Sequence, residues 1–195
     1  MLKNILKNHN VILASGSPRR QQFLKDLDIP FSIQLFEVEE IYPDHLKGTE
    51  ITDFLAKLKA TPFDNTLKDH EIVITSDTIV WQDGSALGKP KNKEEAFQML
   101  KSLSGKKHEV ISSVCLKTKE FSKIFNDTTL VHFSILNDNE IEYYIDVFQP
   151  FDKAGSYGIQ EWIGYIGVEK IEGSYFNVMG LPVHKLYKEL KELGS

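Results

Sequence analysis

Val11-Ile-Leu-Ala-Ser-Gly-Ser-Pro-Arg-Arg20 is an apolar strand that ends in small residues and turns into a helix carrying two arginines. Ser17 suits the N-cap, and Pro18 suits the first helical position, where its missing N–H would have had no partner. Arg19 and Arg20 fall in the first turn, where each cation opposes the positive end of the helix dipole by about 0.3–1 kcal/mol unless an anion offsets it. Backbone N–H groups, the Ser15 and Ser17 hydroxyls and two guanidiniums together suit a polyphosphate. They also suit an ordinary strand-to-helix turn with solvated arginines, and the stretch alone leaves both readings open. A strand feeding directly into a helix predicts an α/β protein in either case.

The 195 residues are enough for one well-cored domain over 1–195, with a hydrophobic fraction of 41% and a charged fraction of 26%, as in ordinary globular proteins. A formal net charge of −5 argues against a general nucleic-acid surface, so the Arg19-Arg20 pair stands out against an acidic background and a small anionic substrate is expected. With one cysteine, Cys115, inside an apolar run, no disulfide framework or cysteine metal cluster is expected within the chain. The histidines show no metal-ligand spacing, so any metal should be a hard cation held by oxygen. Met1 to Asn10 carries lysines without an apolar run before a cleavage site, and no stretch is long enough to span a bilayer, so a cytoplasmic location without a membrane partner is expected.

Outward from the first strand and helix, Phe31 to Val38 reads as a second strand followed by the acids Glu37, Glu39 and Glu40. Strand alternation puts Glu40 on the face opposite Glu37 and Glu39 and makes it the one expected to point inward, although a solvated acidic edge fits as well. Thr49 to Ala60 is amphipathic and ends in Lys57 and Lys59. Ile72 to Val80 is a dense apolar strand interrupted by Ser76-Asp77-Thr78, and an aspartate there is costly to bury without a partner. Asp77 is thus a candidate site residue or a hydrogen-bonded structural one. Lys89, before a proline, sits in extended backbone from which its side chain can reach a ligand. A helix capped by Asn92 runs to about Leu103, and His108–Lys117 and Phe121–Leu136 form a long β pair. Asn137 with Glu140 predicts a capping box, and Asp152-Lys-Ala-Gly-Ser-Tyr-Gly-Ile-Gln160 a loop of small residues that approaches something closely. The sum is a mixed α/β sheet with flanking helices, in two lobes around a cleft.

In order and spacing, these segments resemble the Maf family of nucleoside triphosphate pyrophosphatases. The resemblance runs through Leu13-Ala-Ser-Gly-Ser-Pro-Arg-Arg, Glu37-Val-Glu-Glu, Leu55-Ala-Lys-Leu-Lys-Ala, Ser76-Asp-Thr and Gly88-Lys-Pro. It continues in Met99-Leu-Lys-Ser-Leu-Ser-Gly, Asp152-Lys-Ala-Gly-Ser-Tyr-Gly-Ile-Gln and Val178-Met-Gly-Leu-Pro. It implies an elongated mixed sheet, a nucleotide-binding cleft, and cleavage between the α- and β-phosphates assisted by a divalent cation, Mg²⁺ first, with Mn²⁺ or Co²⁺ as substitutes. It also implies that Asp77 is the catalytic acidic residue, the proton acceptor, and that Glu40 is the acidic residue at the metal. Ser15, Ser17, Arg20, Lys59 and Lys89 are implied at the phosphates, and Arg19, Thr78 and Gln160 at the base. Whether Asp77 deprotonates water or holds the metal stays open.

Gly-Ile-Gln160 with Ser-Asp77-Thr resembles the subgroup acting on dTTP and UTP, whereas an acidic residue at the Gln160 position is typical of the subgroup preferring 7-methyl-GTP. A glutamine amide complements the O4 acceptor and N3–H donor of uracil or thymine. Glu161-Trp162 departs from the glycine that follows in many relatives. The resemblance also implies a house-cleaning role and allows a homodimer. Competing readings are a nucleotidyltransferase, which usually shows a denser glycine loop, and a nucleotide sensor restraining septum formation without turnover.

Overall fold

The computed structural model describes residues 2–193. Its elements are α1 (Leu2–Ile5), β1 (Asn10–Leu13), α2 (Pro18–Asp26), β2 (Phe31–Ile33), α3 (Thr49–Ala60), β3 (Glu71–Gln82), β4 (Ser85–Leu87) and α4 (Lys93–Leu103). Then come β5 (Lys107–Lys117), β6 (Ser122–Phe133), α5 (Asp138–Phe148), α6 (Trp162–Gly167), β7 (Val168–Glu172), α7 (Tyr175–Val178) and α8 (Val183–Leu193). Among the described residues these strands make one seven-stranded mixed sheet in the order β2-β1-β3-β5-β6-β7, with β4 attached to β3. The mixed α/β architecture expected from the sequence is what the chain adopts.

The chain divides into two compact units. Unit 1 contains the residues up to Asp77, Ser112–Asp127 and those from Gly180 onward; unit 2 contains Thr78–Ile111 and Thr128–Met179. The boundaries fall inside β3, β5 and β6, so each of these strands contributes residues to both units.

In unit 1, β1 is parallel to β2 on one side and to β3 on the other, with Leu13 opposite Ile33 and Ile74. A strand covered on both faces needs an apolar side chain at each position, and Val11, Ile12 and Leu13 are all buried. The amphipathic stripe of α3 buries Ile51, Leu55 and Ala56, and the Thr75 hydroxyl donates to the Ala56 carbonyl at 2.6 Å, tying α3 to β3. Ala56 and Ala60 pack with Cys115, which is a core thiol as its surroundings in the sequence suggest. The expected strand over Phe31–Val38 is corrected to Phe31–Ile33. Beyond Ile33 the partner strand β1 has ended; the Gln34 N–H reaches the Leu13 carbonyl at 3.3 Å and the following segment through His45 is irregular.

In unit 2, α4 and α5 pack against each other over a core that includes Val80, Leu100, Val131 and Tyr144. Asn92 caps α4 by accepting from the Glu95 N–H at 2.9 Å, and Asn137 and Glu140 form the expected capping box on α5. Asp83 and Gly84 both have positive φ, 49° and 80°, which matches the twist of the β3–β4 hairpin they join. The small residues of 152–160 are used where backbone meets side chain. Gly155 has φ 66°, and a Cβ there would lie 2.7 Å from Val80 Cγ2, so any larger residue would collide with the core.

Candidate active site

The turn after β1 positions the first site residues. β1 stops pairing with β3 at Leu13–Ile74, and the chain leaves the sheet through Ala14 to Ser17 before entering α2. Ser17 is at the N-cap position in extended backbone, with Pro18 in the first helical position. Its hydroxyl does not cap the helix. The Ser17 N–H instead donates to Ser15 Oγ at 3.3 Å, so the two serines brace each other across Gly16.

Arg20 turns back from the first turn of α2 to β3. Its Nη1 donates to the Ser76 carbonyl at 2.9 Å, in the part of β3 that has outrun β1, and more weakly to Ser15 Oγ at 3.4 Å. Its Nε donates to the Gly180 carbonyl at 2.8 Å. Burial pushes the Arg20 pKa down to about 10, opposed by Asp77, deepened by Arg19 and opposed again by Glu40. The guanidinium remains fully charged near neutrality.

Asp77 lies in the middle of β3, with only 6% of its surface exposed. A buried carboxylate needs a cation or several donors, and α3 supplies one. Lys59, in the last turn of that helix, places Nζ 2.6 Å from Asp77 Oδ1 and 3.0 Å from Glu40 Oε2. Lys57 points to solvent. Glu40 comes to this ammonium from irregular backbone and not from a strand pleat, which corrects the alternation argument; its side chain is 47% exposed. Glu37 and Glu39 are exposed.

Unit 1 thus brings together Ser15, Arg20, Glu40, Lys59 and Asp77, with Ser17 and a half-buried Arg19 on the same helix start. Thr78, Lys89 and Gln160 belong to unit 2. Thr78 follows Asp77 on β3 and takes the other face of the pleat. Lys89 is exposed on the loop before α4, and the Gly155 N–H donates to the Gly88 carbonyl at 3.0 Å, joining that loop to the segment leading to Gln160. Two parts of the arrangement escaped the sequence reading. The Gly180 carbonyl that anchors Arg20 lies 160 residues away, and the only signal for it was the Gly180-Leu-Pro182 turn. The partners of Glu161, read from the sequence only as a departure from relatives, are the other: its carboxylate is drawn to Lys153 and Tyr144.

No cluster of three or more His, Cys, Asp or Glu side chains suited to a metal occurs among the described residues. The donor set at Asp77 and Glu40 is two hard carboxylate oxygens, which fits a Mg²⁺-like ion completed by water and phosphate oxygens and does not fit a site built from protein ligands alone.

A mixed α/β sheet with an arginine-braced strand-to-helix turn, and a carboxylate pair shared by one lysine, places the chain among the α/β proteins. The chain belongs to the Maf-like protein family, whose sequence profile matches residues 10–193. It is 60% identical to the dTTP/UTP pyrophosphatase of Christiangramia forsetii, over 99% of this chain and 98% of that protein. It is 53% identical to the dTTP/UTP pyrophosphatase of Bacteroides fragilis, over 99% of this chain and all of that protein. Among solved structures, the Staphylococcus aureus Ham1 protein aligns with a TM-score of 0.48 at 15% identity, covering 92% of this chain and 99% of that one.

Proposed function

We propose that the protein is a nucleoside triphosphate pyrophosphatase that hydrolyses dTTP and UTP to the monophosphate and pyrophosphate. The observation that carries this is the Lys59 ammonium held between the buried Asp77 carboxylate and Glu40, beside the Arg20-braced turn. Near-full-length identity to two proteins named dTTP/UTP pyrophosphatase supports both the reaction and the base preference. Binding without turnover would give no reason to keep a carboxylate 6% exposed beside a tetra-anionic substrate.

In this reading Ser15, Ser17, Arg20, Lys59 and Lys89 neutralise and orient the triphosphate, so the reaction is mainly one of positioning and charge stabilisation. Asp77 accepts the proton of the attacking water, or orients that water by hydrogen bonding. Lys59 carries the charge that develops on the leaving pyrophosphate. Glu40 and Asp77 would hold the divalent cation, Mg²⁺ by the hardness of the donors, and the bound ion would supply further neutralisation of the phosphates. Arg19, Thr78 and Gln160 contact the base, Gln160 through an amide that matches the O4 acceptor and N3–H donor of uracil or thymine. The charged, anionic substrate and the absence among the described residues of a helix long and apolar enough to cross a membrane fit a cytoplasmic enzyme.

The test is pyrophosphate release with Mg²⁺ from dTTP, UTP, CTP, GTP, 7-methyl-GTP and ATP, with Asp77→Asn beside it. Release from dTTP and UTP that drops by about 10²–10⁴ in the variant is expected on general-base grounds. Release from none of the six would overturn the assignment, and release mainly from 7-methyl-GTP would overturn the base preference alone.

A further inference from the structure

Uracil and guanine present the same edge to a glutamine amide: a carbonyl acceptor, O4 or O6, beside a ring N–H donor, N3–H or N1–H. Hydrogen-bond chemistry at Gln160 therefore cannot by itself separate dTTP or UTP from GTP. What differs is distance, since the guanine edge lies one ring further from the sugar. Selectivity then rests on how firmly the backbone carrying Gln160 is held.

The turn Gly158-Ile-Gln-Glu161 is closed by the Glu161 N–H donating to the Gly158 carbonyl at 3.0 Å. The Glu161 side chain folds back under it. One carboxylate oxygen accepts from the Tyr144 hydroxyl, and the other lies 3.1 Å from Nζ of the buried Lys153, which also pairs with Asp152 at 2.6 Å. The Tyr144 hydroxyl in turn accepts from the Gly158 N–H at 3.0 Å, so one phenol oxygen joins the first residue of the turn to the last. A Cβ on Gly158 would lie 2.8 Å from Glu161 Cδ and 3.0 Å from Lys153 Cε, so any side chain there would push the carboxylate or the ammonium aside. From the other side Gly164 of α6 backs onto the turn, where a Cβ would come within 1.9 Å of the Ile159 carbonyl oxygen. The Gln160 carbonyl accepts from the Tyr165 hydroxyl at 3.1 Å. The Gln160 amide, by contrast, has no hydrogen-bond partner among the described residues.

We infer that Glu161 is a positioning residue for Gln160, and that the Glu161–Tyr144–Lys153 clamp sets pyrimidine-over-purine selectivity by fixing how far the amide stands from the sugar. The inference rests on the reading of Gln160 as the base-contacting residue. An amide on a turn held at both ends reaches only the smaller base; loosened, the same amide retreats far enough to accept the guanine edge.

The experiment measures kcat/KM for dTTP and for GTP in the full-length wild type, Glu161→Ala, Tyr144→Phe, Gln160→Ala and the Gln160→Ala/Glu161→Ala pair. The ratio of the two values in one preparation is independent of the folded fraction, so a merely structural loss would leave it unchanged. Glu161→Ala and Tyr144→Phe should each lower the dTTP:GTP ratio by about 3–10-fold, the worth of one well-directed hydrogen bond, mainly through KM. In the Gln160→Ala background Glu161→Ala should leave the ratio where it is. Tyr144→Phe keeps the test open if Glu161→Ala fails to fold. An unchanged ratio in both single clamp variants, with dTTP use reduced in Gln160→Ala, would overturn the clamp and leave the base contact standing. Unaltered dTTP use in Gln160→Ala would overturn the base contact itself, and the clamp with it.

Discussion

Lys59 Nζ lies 2.6 Å from Asp77 Oδ1, and the same ammonium is 3.0 Å from Glu40 Oε2. One cation from the end of α3 serves two carboxylates, one at 8% side-chain exposure and one at 47%. Coulomb attraction is strongest at the buried partner, where water screens least.

Replacing Lys59 with methionine keeps the length of the side chain and removes its charge. We expect kcat for dTTP to fall by about 10²–10³, as for the loss of one preorganised electrostatic contact. Asp77 would also be left buried without its cation, so thermal stability should drop in the same variant. Steady-state kinetics and a melting curve check both, and a kcat within about threefold of wild type would remove Lys59 from the reaction.

Arg20→Lys tests the brace. A lysine keeps the charge but not the planar fork that reaches the Ser76 and Gly180 carbonyls together. At least one carbonyl loses its donor, at a cost of about 1–3 kcal/mol. Circular dichroism melts should show Tm lower by about 2–4 °C for each kcal/mol lost. An unchanged Tm would mean that water replaces the guanidinium without penalty.

Metal and nucleotide should bind together. Two carboxylates already engaged by Lys59 make a weak site for a divalent cation, and phosphate oxygens complete it. Mn²⁺ binding followed by electron paramagnetic resonance should tighten by about tenfold or more when a non-hydrolysable dTTP analogue is present. Equal affinity with and without the analogue would place the ion elsewhere.

His108 predicts a pH dependence of stability. Its ring is buried against Tyr157 and Phe133, with Nε2 2.8 Å from the Tyr157 hydroxyl, and burial, then the charge of His132, push its pKa from 6.5 down to about 4. The folded state holds this ring neutral, so between these values the unfolded chain binds more protons. The contribution is fully present above about pH 6.5 and is lost as pH falls toward 4, a loss of about 3 kcal/mol. His108→Gln should flatten this part of the stability profile in urea titrations across that range. Parallel profiles for the two proteins would show that His108 does not carry the effect.

Local chemistry in the sequence located much of this structure. The amphipathic segment Thr49–Ala60 matches the bounds of α3, and Asn92 and Asn137 cap the helices they were expected to cap. The failures lie where the deciding partner is remote. Phe31–Val38 has the composition of a strand, yet β2 ends at Ile33 because β1 ends at Leu13 opposite it. Ser17 has the right identity for a capping hydroxyl, but its N–H is taken by Ser15 and its side chain is not used as the cap. Asp77 was legible as an expensive residue in an apolar run; that Lys59 and not Lys57 offsets it depends on which side of α3 faces β3. Nothing near Arg20 in the sequence announces Gly180, and nothing near Glu161 announces Tyr144.

The interleaving of the two units has a consequence for synthesis. Unit 1 needs residues beyond Gly180, both for the carbonyl that takes Arg20 and for α8, which packs on α1. At about 5–20 residues per second, the 160 residues between Arg20 and Gly180 take the ribosome roughly 8–32 s to add. During that interval the arginine turn waits for its last partner, and the fold of unit 1 stays incomplete. Unit 1 thus contains both a turn translated before all of unit 2 and a carbonyl translated after it, so it is completed only once unit 2 has been made.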